Sequence, residues 1–459
     1  MALAMVACGP PPPQAASSTS APASAPAASA AKPAASAPAS ASASAKPAAS
    51  APASAAASAK PAGSAAAGIL AGLLVPTTGN AAASGQDMVN GWNLYWKQNP
   101  SISGRTVQTA QEDTASDPTV ALNKAHLLVE QRKVTFLIGP LLANEGLAVA
   151  DYAKTVGIPT FEPIVSADDL TQRHRIDNVV RIAGWTSSQG THPFGEWAYD
   201  QGYRKVVTIC TDYAFGQEKC GGFAQTFTGK GGQIVAQLWN PLNTPDFSSY
   251  LTQIPGKSPD AVFALQVGAD APRFMKQWGD FGFKTKFPLL GGEVLTDASL
   301  LRSMGSEAEG VISEGHWAEG RDDKSTQDFV KTYMEAYNQL PSYYAGAMYS
   351  AAEWIAKSGE QVGGKLEDSK AFLDAVKKLT LPNSVLGPLK LDEYGNPVYN
   401  IYIRKVEKRP DGKLWNVPIK TYENVSQFWT YKPEDYLKQP VYSREFQGIK
   451  GQQPVASAK

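Results

Sequence analysis

The segment from Thr106 to Pro163 alternates short apolar runs with amphipathic stretches, and this alternation constrains the fold more than any other feature. A strand-like run at its start is followed by a helical pattern that opens at Asp117 and Pro118, residues typical of a helix start. An apolar run, 134–140, then leads to a second helical pattern, 143–156, and to another short strand. Short apolar strands separated by amphipathic helices predict a parallel sheet covered on both faces.

A second αβ series follows the first along the chain. Strand-like runs at 205–210, 234–239 and 261–266 alternate with helical patterns, and two long helical patterns then precede a β-rich segment that reads as hairpins. Two such series predict two parallel sheets that face a cleft. Ligands bind beyond the carboxyl ends of parallel strands, so the loops 141–144 and 162–167 become candidate binding loops.

The first 67 residues predict a linker rather than a domain. From Gly9 to Ala67 nearly every residue is Ala, Ser, Pro, Gly or Lys, and none is aromatic. Such a composition cannot bury enough apolar surface to offset the entropy of ordering, so we expect disorder and a mean reach of about 40 Å. Cys8 follows small residues directly before this linker and resembles the acylated cysteine of a bacterial lipoprotein, although residues 1–7 are shorter than a signal peptide.

Charge and motifs argue against several functions. The chain has 42 basic and 42 acidic residues and shows no basic stripe interleaved with aromatics, which argues against nucleic acid as a partner. It contains no GxSxG or HExxH motif, and its four histidines lack metal-ligand spacing. The sequence therefore gives no support for an enzyme, a metal site or a cofactor.

A series of short motifs, in order along the chain, resembles the leucine/isoleucine/valine-binding type of periplasmic solute-binding protein. The motifs are Asp113–Pro118, Ile138-Gly139-Pro140, Gly157-Ile158-Pro159, 181–190, 211–216, Asp246-Phe247-Ser248, 259–262 and Glu309-Gly310. The resemblance implies an α/β fold of two lobes, each a parallel-sheet αβα sandwich, joined by a multi-strand hinge. It also implies a small-molecule ligand, a permease of an ABC importer as partner, and a periplasmic or cell-surface location with a lipid anchor.

The resemblance also implies domain boundaries. Residues 68–184 with about 318–382 form the first lobe, 185–317 with about 383–435 form the second, and 436–459 are a C-terminal tail. In an oxidising compartment Cys210 and Cys220 are expected to pair.

In the first lobe, the resemblance places ligand contacts in three loops. The loop after the third strand contributes Leu142, Ala143 and Asn144, and the next loop contributes Val165 and Ser166. Ala143 stands where many relatives have a serine that helps to hold the ligand's carboxylate, so one hydroxyl donor is lost. Ser84, expected in the loop after the first strand, matches a position that contacts the ligand side chain. A helix-capping role is the alternative for both serines.

In the second lobe, five further residues are candidates for ligand contacts. Tyr213 and Phe215 follow a strand end, Gln266 ends another strand, and Trp185 lies where the chain is expected to cross between lobes. Glu293 matches the acidic residue that pairs with the α-amino group in amino-acid-binding relatives. Because a buried carboxylate is costly without a cation, Glu293 favours an amine-bearing ligand, unless a cation within the protein meets it.

Three functional hypotheses follow from these observations. The first is transport of a branched-chain or aromatic amino acid, and a hydrophobic or aromatic carboxylate is the alternative ligand, favoured by the lost serine and the many Tyr and Trp residues. The second is a ligand-sensing module of the same fold that serves a receptor. The third, an enzyme, has fold analogy alone in its favour.

Overall fold

The computed structural model describes residues 68–453, and these residues form two mainly parallel β-sheets with helices packed on them. Cys8, the linker 1–67 and residues 454–459 lie outside the described residues. The strands β1 to β15 are, in order, Ile69–Val75, Ser101–Ile102, Arg105–Asp113, Phe136–Ile138, Thr160–Phe161, Val179–Val180, Lys205–Thr211, Gln233–Asn240, Ala261–Leu265, Leu289–Gly291, Ile312–Gly315, Thr380–Ser384, Gly387–Leu391, Pro397–Lys408 and Leu414–Val425. The α-helices α1 to α12 are Ala82–Gln98, Pro118–His126, Ala143–Val156, Ser187–Asp200, Ala214–Lys230, Ser248–Leu251, Asp270–Asp280, Ala298–Leu301, Lys324–Tyr337, Tyr343–Gln361, Ser369–Lys378 and Pro433–Tyr436.

The first sheet has six strands in the order β2-β3-β1-β4-β5-β6, and all its pairs are parallel except β2 with β3. The central strands β1, β4 and β5 are short and almost fully buried, as expected for strands covered on both faces. Helix α1 packs against α10, and α2 packs against α3. The predicted α/β class and parallel sheets are therefore confirmed.

The second sheet has nine strands. Strands β8, β7, β9, β10 and β11 are parallel, and an antiparallel ribbon of β12 to β15 is attached through β14, which pairs with β11. The chain passes from one sheet to the other at three places: between β6 and α4, between β11 and α9, and between α11 and β12. We call each sheet with its helices a lobe.

Two local features differ from the sequence pattern. The apolar run 179–185 forms a strand only at Val179–Val180, and the buried Arg181 side chain beyond it donates to backbone carbonyls such as that of Val165, at 3.0 Å from Nε. The described part of the C-terminal tail is packed rather than loose. Tyr442 and Phe446 belong to a buried aromatic cluster, and the amide of Lys450 donates to Thr228 of α5 at 3.0 Å.

Candidate functional site

The two first-lobe binding loops lie at the carboxyl ends of adjacent parallel strands, β4 and β5. Leu142 is the N-cap of α3, and Ala143 and Asn144 form the first turn of that helix. The loop after β4 therefore presents a helix N-terminus, where backbone N–H groups favour an anion.

A carboxylate of the protein already uses part of this helix start. Glu145 Oε2 accepts hydrogen bonds from the amides of Leu142, at 2.9 Å, and Leu141, at 3.4 Å. Burial raises the pKa of Glu145 to about 7 in spite of these bonds. The first-turn amides of Ala143 and Asn144, which have no intrahelical acceptor, are the donors that remain for a ligand.

The loop after β5 is joined to the start of α4 through two serines. The backbone N–H and the hydroxyl of Ser187 both donate to the Ser166 carbonyl at 2.8 Å, and the two hydroxyl oxygens are 3.3 Å apart. Val165 lies against Gly146 of α3, where an added Cβ would collide with its side chain. Ser166 is thus held at the junction of the first lobe and α4.

Ser84 lies in the first turn of α1, not in the loop expected after the first strand, because the helix begins at Ala82. Its hydroxyl oxygen is 3.0 Å from that of Ser299 in α8. Nearby, the Asn80 side chain donates to the carbonyl of Val267 at 3.1 Å. These bonds join residues of the first lobe to residues of the second, so the two lobes touch at the edge of the cleft.

Aromatic side chains from both lobes converge between the lobes. Trp185 is fully buried, and its ring centroid is 5.7 Å from that of Tyr343 at the start of α10. Tyr213 and Phe215, at the start of α5, have ring centroids 6.0 Å apart. The Lys219 ammonium lies 3.7 Å from the Trp185 ring centroid and 5.8 Å from that of Phe215, an arrangement that stabilises a cation over an aromatic face.

Glu293 is buried, and Arg404 and His316 meet its carboxylate from within the protein. Its Oε2 is 2.8 Å from His316 Nδ1, and its Oε1 is 3.3 Å from Arg404 Nη1. Burial raises the pKa of Glu293, but His316 and Arg404 lower it by a larger amount. The pKa of Glu293 therefore lies below its usual range. The Glu293 carboxylate therefore does not need an amine from the ligand, because Arg404 of the protein already supplies a cation.

A second buried ion pair lies beside the first. Lys219 Nζ and Glu314 Oε1 are 2.6 Å apart, and both side chains are 0% exposed. Burial raises the pKa of Glu314, and Lys219 opposes the rise. A side chain at Gly190 would collide with the Glu314 carboxylate, so α4 approaches this closely only through a glycine.

Gln266 does not present its side chain to the cleft. Its Nε2 donates to Asn240 Oδ1 at 2.8 Å, and its Oε1 accepts from Asn240 Nδ2 at 2.9 Å and from the Thr211 hydroxyl at 3.2 Å. The amide group is thus used at the strand ends of the second lobe. Another pair of side chains there, Cys210 of β7 and Cys220 of α5, forms a disulfide.

A group of buried carboxyls lies where the loop after β5 meets α4 and α5. The Asp168 amide donates to Glu218 Oε1 at 3.2 Å, and the Ser188 hydroxyl donates to Asp168 Oδ2 at 2.6 Å. Burial raises the pKa of Glu162 to about 8 and that of Asp168 to about 6, although Arg181 opposes both shifts. Glu162 and Asp168 of the first lobe and Glu218 of the second all interact electrostatically with the guanidinium of Arg181.

Sequence reasoning missed the charged residues and one aromatic of the cleft, namely Lys219, Glu314, His316, Arg404 and Tyr343. No local pattern marks them, since they come from separate helices and strands and meet only in the folded chain. The described residues contain no group of three or more His, Cys, Asp or Glu side chains suited to a metal ion. None of the helices in this part of the chain has both the length and the apolar character needed to span a bilayer.

Known proteins resemble this chain along most of its length. The sequence profile of a family described as "Periplasmic binding protein" matches residues 68–413. "Leu/Ile/Val-binding protein homolog 6" of Brucella melitensis biotype 1 is 30% identical over 362 residues, which cover 77% of this chain and 92% of that protein.

Two solved structures of solute-binding proteins of ABC transporters are also similar. That from Rhodopseudomonas palustris BisB5, in complex with 3,4-dihydroxybenzoic acid, is 30% identical with a TM-score of 0.75 and covers 78% of this chain and 98% of its own. Another from R. palustris, in complex with benzoate, is 28% identical with a TM-score of 0.72 and covers 78% of this chain and 99% of its own.

Proposed function

This chain belongs to the periplasmic binding protein family, and we propose that it binds an aromatic carboxylate between its two lobes. The observation that carries this choice is the pairing of Glu293, whose charge is met by Arg404 and whose other oxygen is bonded to His316 inside the protein. An amino acid would bring an ammonium group to a cleft whose acidic residue is already paired. An aromatic acid brings no such group.

The walls of the cleft support the same ligand class. Trp185, Phe215, Tyr213 and Tyr343 offer ring faces from both lobes, and ring–ring contacts stabilise an aromatic ligand beyond simple burial. The first-turn amides of α3 and the hydroxyl of Ser166 are suitable donors for a carboxylate. Two relatives of 28% and 30% identity bind benzoate and 3,4-dihydroxybenzoic acid.

An amino acid remains the second candidate. A relative of 30% identity is named as a Leu/Ile/Val-binding protein homolog, and the family resemblance pairs Glu293 with the α-amino group of an amino acid. A ligand ammonium would then compete with Arg404 and His316 for the same carboxylate.

The role of the bound ligand follows from the family. Binding proteins of this kind close their lobes around a solute by a hinge motion, and we propose that the closed form delivers it to the permease of an ABC importer. The disulfide between Cys210 and Cys220 fits an oxidising, extracytoplasmic compartment. Acylation of Cys8 would tether the protein to the membrane, with the linker as a spacer. A sensory role would use the same closure of the lobes. A co-transcribed permease gene would indicate transport, and a co-transcribed receptor gene would indicate sensing.

A thermal-shift panel tests the ligand class. Purified protein is heated with benzoate, phenylalanine, leucine or buffer alone, at ligand concentrations near 1 mM. A ligand present at about 100 times its Kd stabilises the folded state by about 2.7 kcal/mol, which raises the melting temperature by several degrees. We expect the rise with benzoate. Stabilisation by leucine or phenylalanine, with none by benzoate, would refute the proposed ligand.

A further inference from the structure

Three aromatic side chains meet between the lobes, and they come from separate parts of the chain. Trp185 precedes α4, His316 follows β11, and Tyr399 lies on β14. The His316 ring centroid is 4.4 Å from that of Trp185 and 4.9 Å from that of Tyr399. All three side chains are buried.

Each of these three side chains carries a buried polar atom without a hydrogen-bond partner among the described residues. The atoms are Trp185 Nε1, His316 Nε2 and the Tyr399 hydroxyl. Buried polar atoms in folded proteins are nearly always paired, because an unpaired one loses its hydration without compensation. Three on side chains in mutual contact indicate a place where another molecule supplies the partners.

The donor and acceptor pattern at this place matches a hydroxyl group. His316 Nδ1 faces a carboxylate oxygen of Glu293 at 2.8 Å, so in the neutral ring the proton lies on Nδ1 and Nε2 offers a lone pair. The indole Nε1 of Trp185 is only a donor. A hydroxyl both donates and accepts, so one such group can pair with a donor and an acceptor on these two rings, whose centroids are 4.4 Å apart.

The surrounding charges favour a neutral group. The Glu293 and Arg404 side chains form one buried pair, and those of Lys219 and Glu314 form another. Two cations thus face two anions, which leaves no unmatched charge for an ammonium or a second carboxylate. A neutral hydrogen-bonding substituent is the group that these surroundings accept at least cost.

We infer that Trp185, His316 and Tyr399 form a subsite for a hydroxyl group on the ligand ring, so that the protein prefers hydroxylated aromatic acids over unsubstituted ones. This inference rests on the proposed aromatic carboxylate ligand and adds to it the residues that distinguish members of that class. Trp185 and His316 contact the hydroxyl directly. Tyr399 closes the subsite from the hinge side.

Isothermal titration calorimetry on the full chain tests the subsite with matched ligands. The ligands are benzoate, 3- and 4-hydroxybenzoate, and the corresponding methylbenzoates, which have nearly the same shape without the hydrogen bonds. We expect at least one hydroxybenzoate to bind about tenfold more tightly than its methyl analogue, the ratio that corresponds to one net hydrogen bond.

Two variants assign this preference to residues. Trp185→Phe keeps a ring but removes the donor, so the ratio between the affinities for a hydroxybenzoate and for its methyl analogue should fall to less than about threefold, whatever the change in the affinity for benzoate itself. Trp96→Phe is the matched control, because Trp96 also has a buried Nε1 without a partner among the described residues but lies on α1. The control should keep the preference.

Each other outcome decides a different question. Equal affinity for hydroxylated and methylated acids would overturn the subsite and leave the aromatic ligand class intact. The same conclusion would follow if Trp185→Phe lowered the affinity for all ligands by the same factor. Failure of every aromatic acid to bind would overturn both the subsite and the proposed ligand class.

Discussion

Removal of the Lys219 ammonium is the sharpest test of the charge arrangement in the cleft. Lys219 and Glu314 are both fully buried and 2.6 Å apart. Lys219→Met keeps much of the side-chain volume but leaves the Glu314 carboxylate in an apolar setting. Loss of one partner of a buried pair costs about 3–5 kcal/mol of unfolding free energy, because the remaining charge is uncompensated.

The pH dependence of this loss has a definite sign. Burial already raises the pKa of Glu314, and Lys219 opposes the rise, so the variant should hold the Glu314 proton more tightly than the unfolded chain does. A group whose pKa is raised by folding contributes stability below its unfolded pKa and loses that contribution as the pH rises through the folded pKa. Lys219→Met should therefore be more damaging at pH 8 than at pH 5.

Urea unfolding followed by circular dichroism at both pH values measures these losses. The double variant Lys219→Met/Glu314→Gln removes both charges and should recover most of the stability. Lys324→Met is the matched control, because Lys324 pairs with Asp328 at an exposed site, with side chains 86% and 63% exposed, and it should cost less than about 1 kcal/mol. A loss below about 1 kcal/mol for Lys219→Met, or a double variant no more stable than the single one, would refute the reasoning.

Three further predictions concern stability. Because burial raises the pKa of Glu162 to about 8, wild-type stability should fall by a few kcal/mol between pH 5 and pH 8.5, and Glu162→Gln should flatten this fall in urea titrations; an unchanged slope would count against it. Replacing Cys210 and Cys220, which are 10 positions apart, by serine should lower the unfolding free energy by about 2–3 kcal/mol in the same assay, and an unchanged midpoint would argue against the bond. Gly91→Ala should lower the melting temperature, since its Cβ would collide with the backbone of α10. Gly229→Ala, with open space around its Cβ, should raise stability by about 0.5–1 kcal/mol, and similar effects of the two variants would contradict the packing argument.

The sequence was most informative where local signals decide the structure. The second helix pattern, 143–156, coincides with α3, since a continuous apolar strand, a Gly-Pro stop and an amphipathic stretch all act within a few residues. Asp117 caps α2 through its side chain, with hydrogen bonds to the amides of Thr119 and Val120. Both features depend on neighbours along the chain.

The cleft was less predictable, because its interactions join distant parts of the chain. Arg404 lies 111 positions from Glu293, and no pattern near either residue indicates their contact. Tyr343 lies at the start of α10, where its ring packs against that of Trp185, and no pattern near either residue indicates this contact. Ser84 was assigned to a loop, since the small polar residues before it resemble turn residues, although α1 had already begun.

A crystal structure of the protein with 4-hydroxybenzoate tests the central claim most directly. The account predicts density for the acid between the lobes, with its ring against Trp185 and its hydroxyl beside His316 Nε2. Binding in another part of the protein, such as the cavity of about 820 Å³ lined by Arg321 and Tyr402, would contradict the account. So would a crystal that contains leucine, and no aromatic acid, in the cleft after soaking with both.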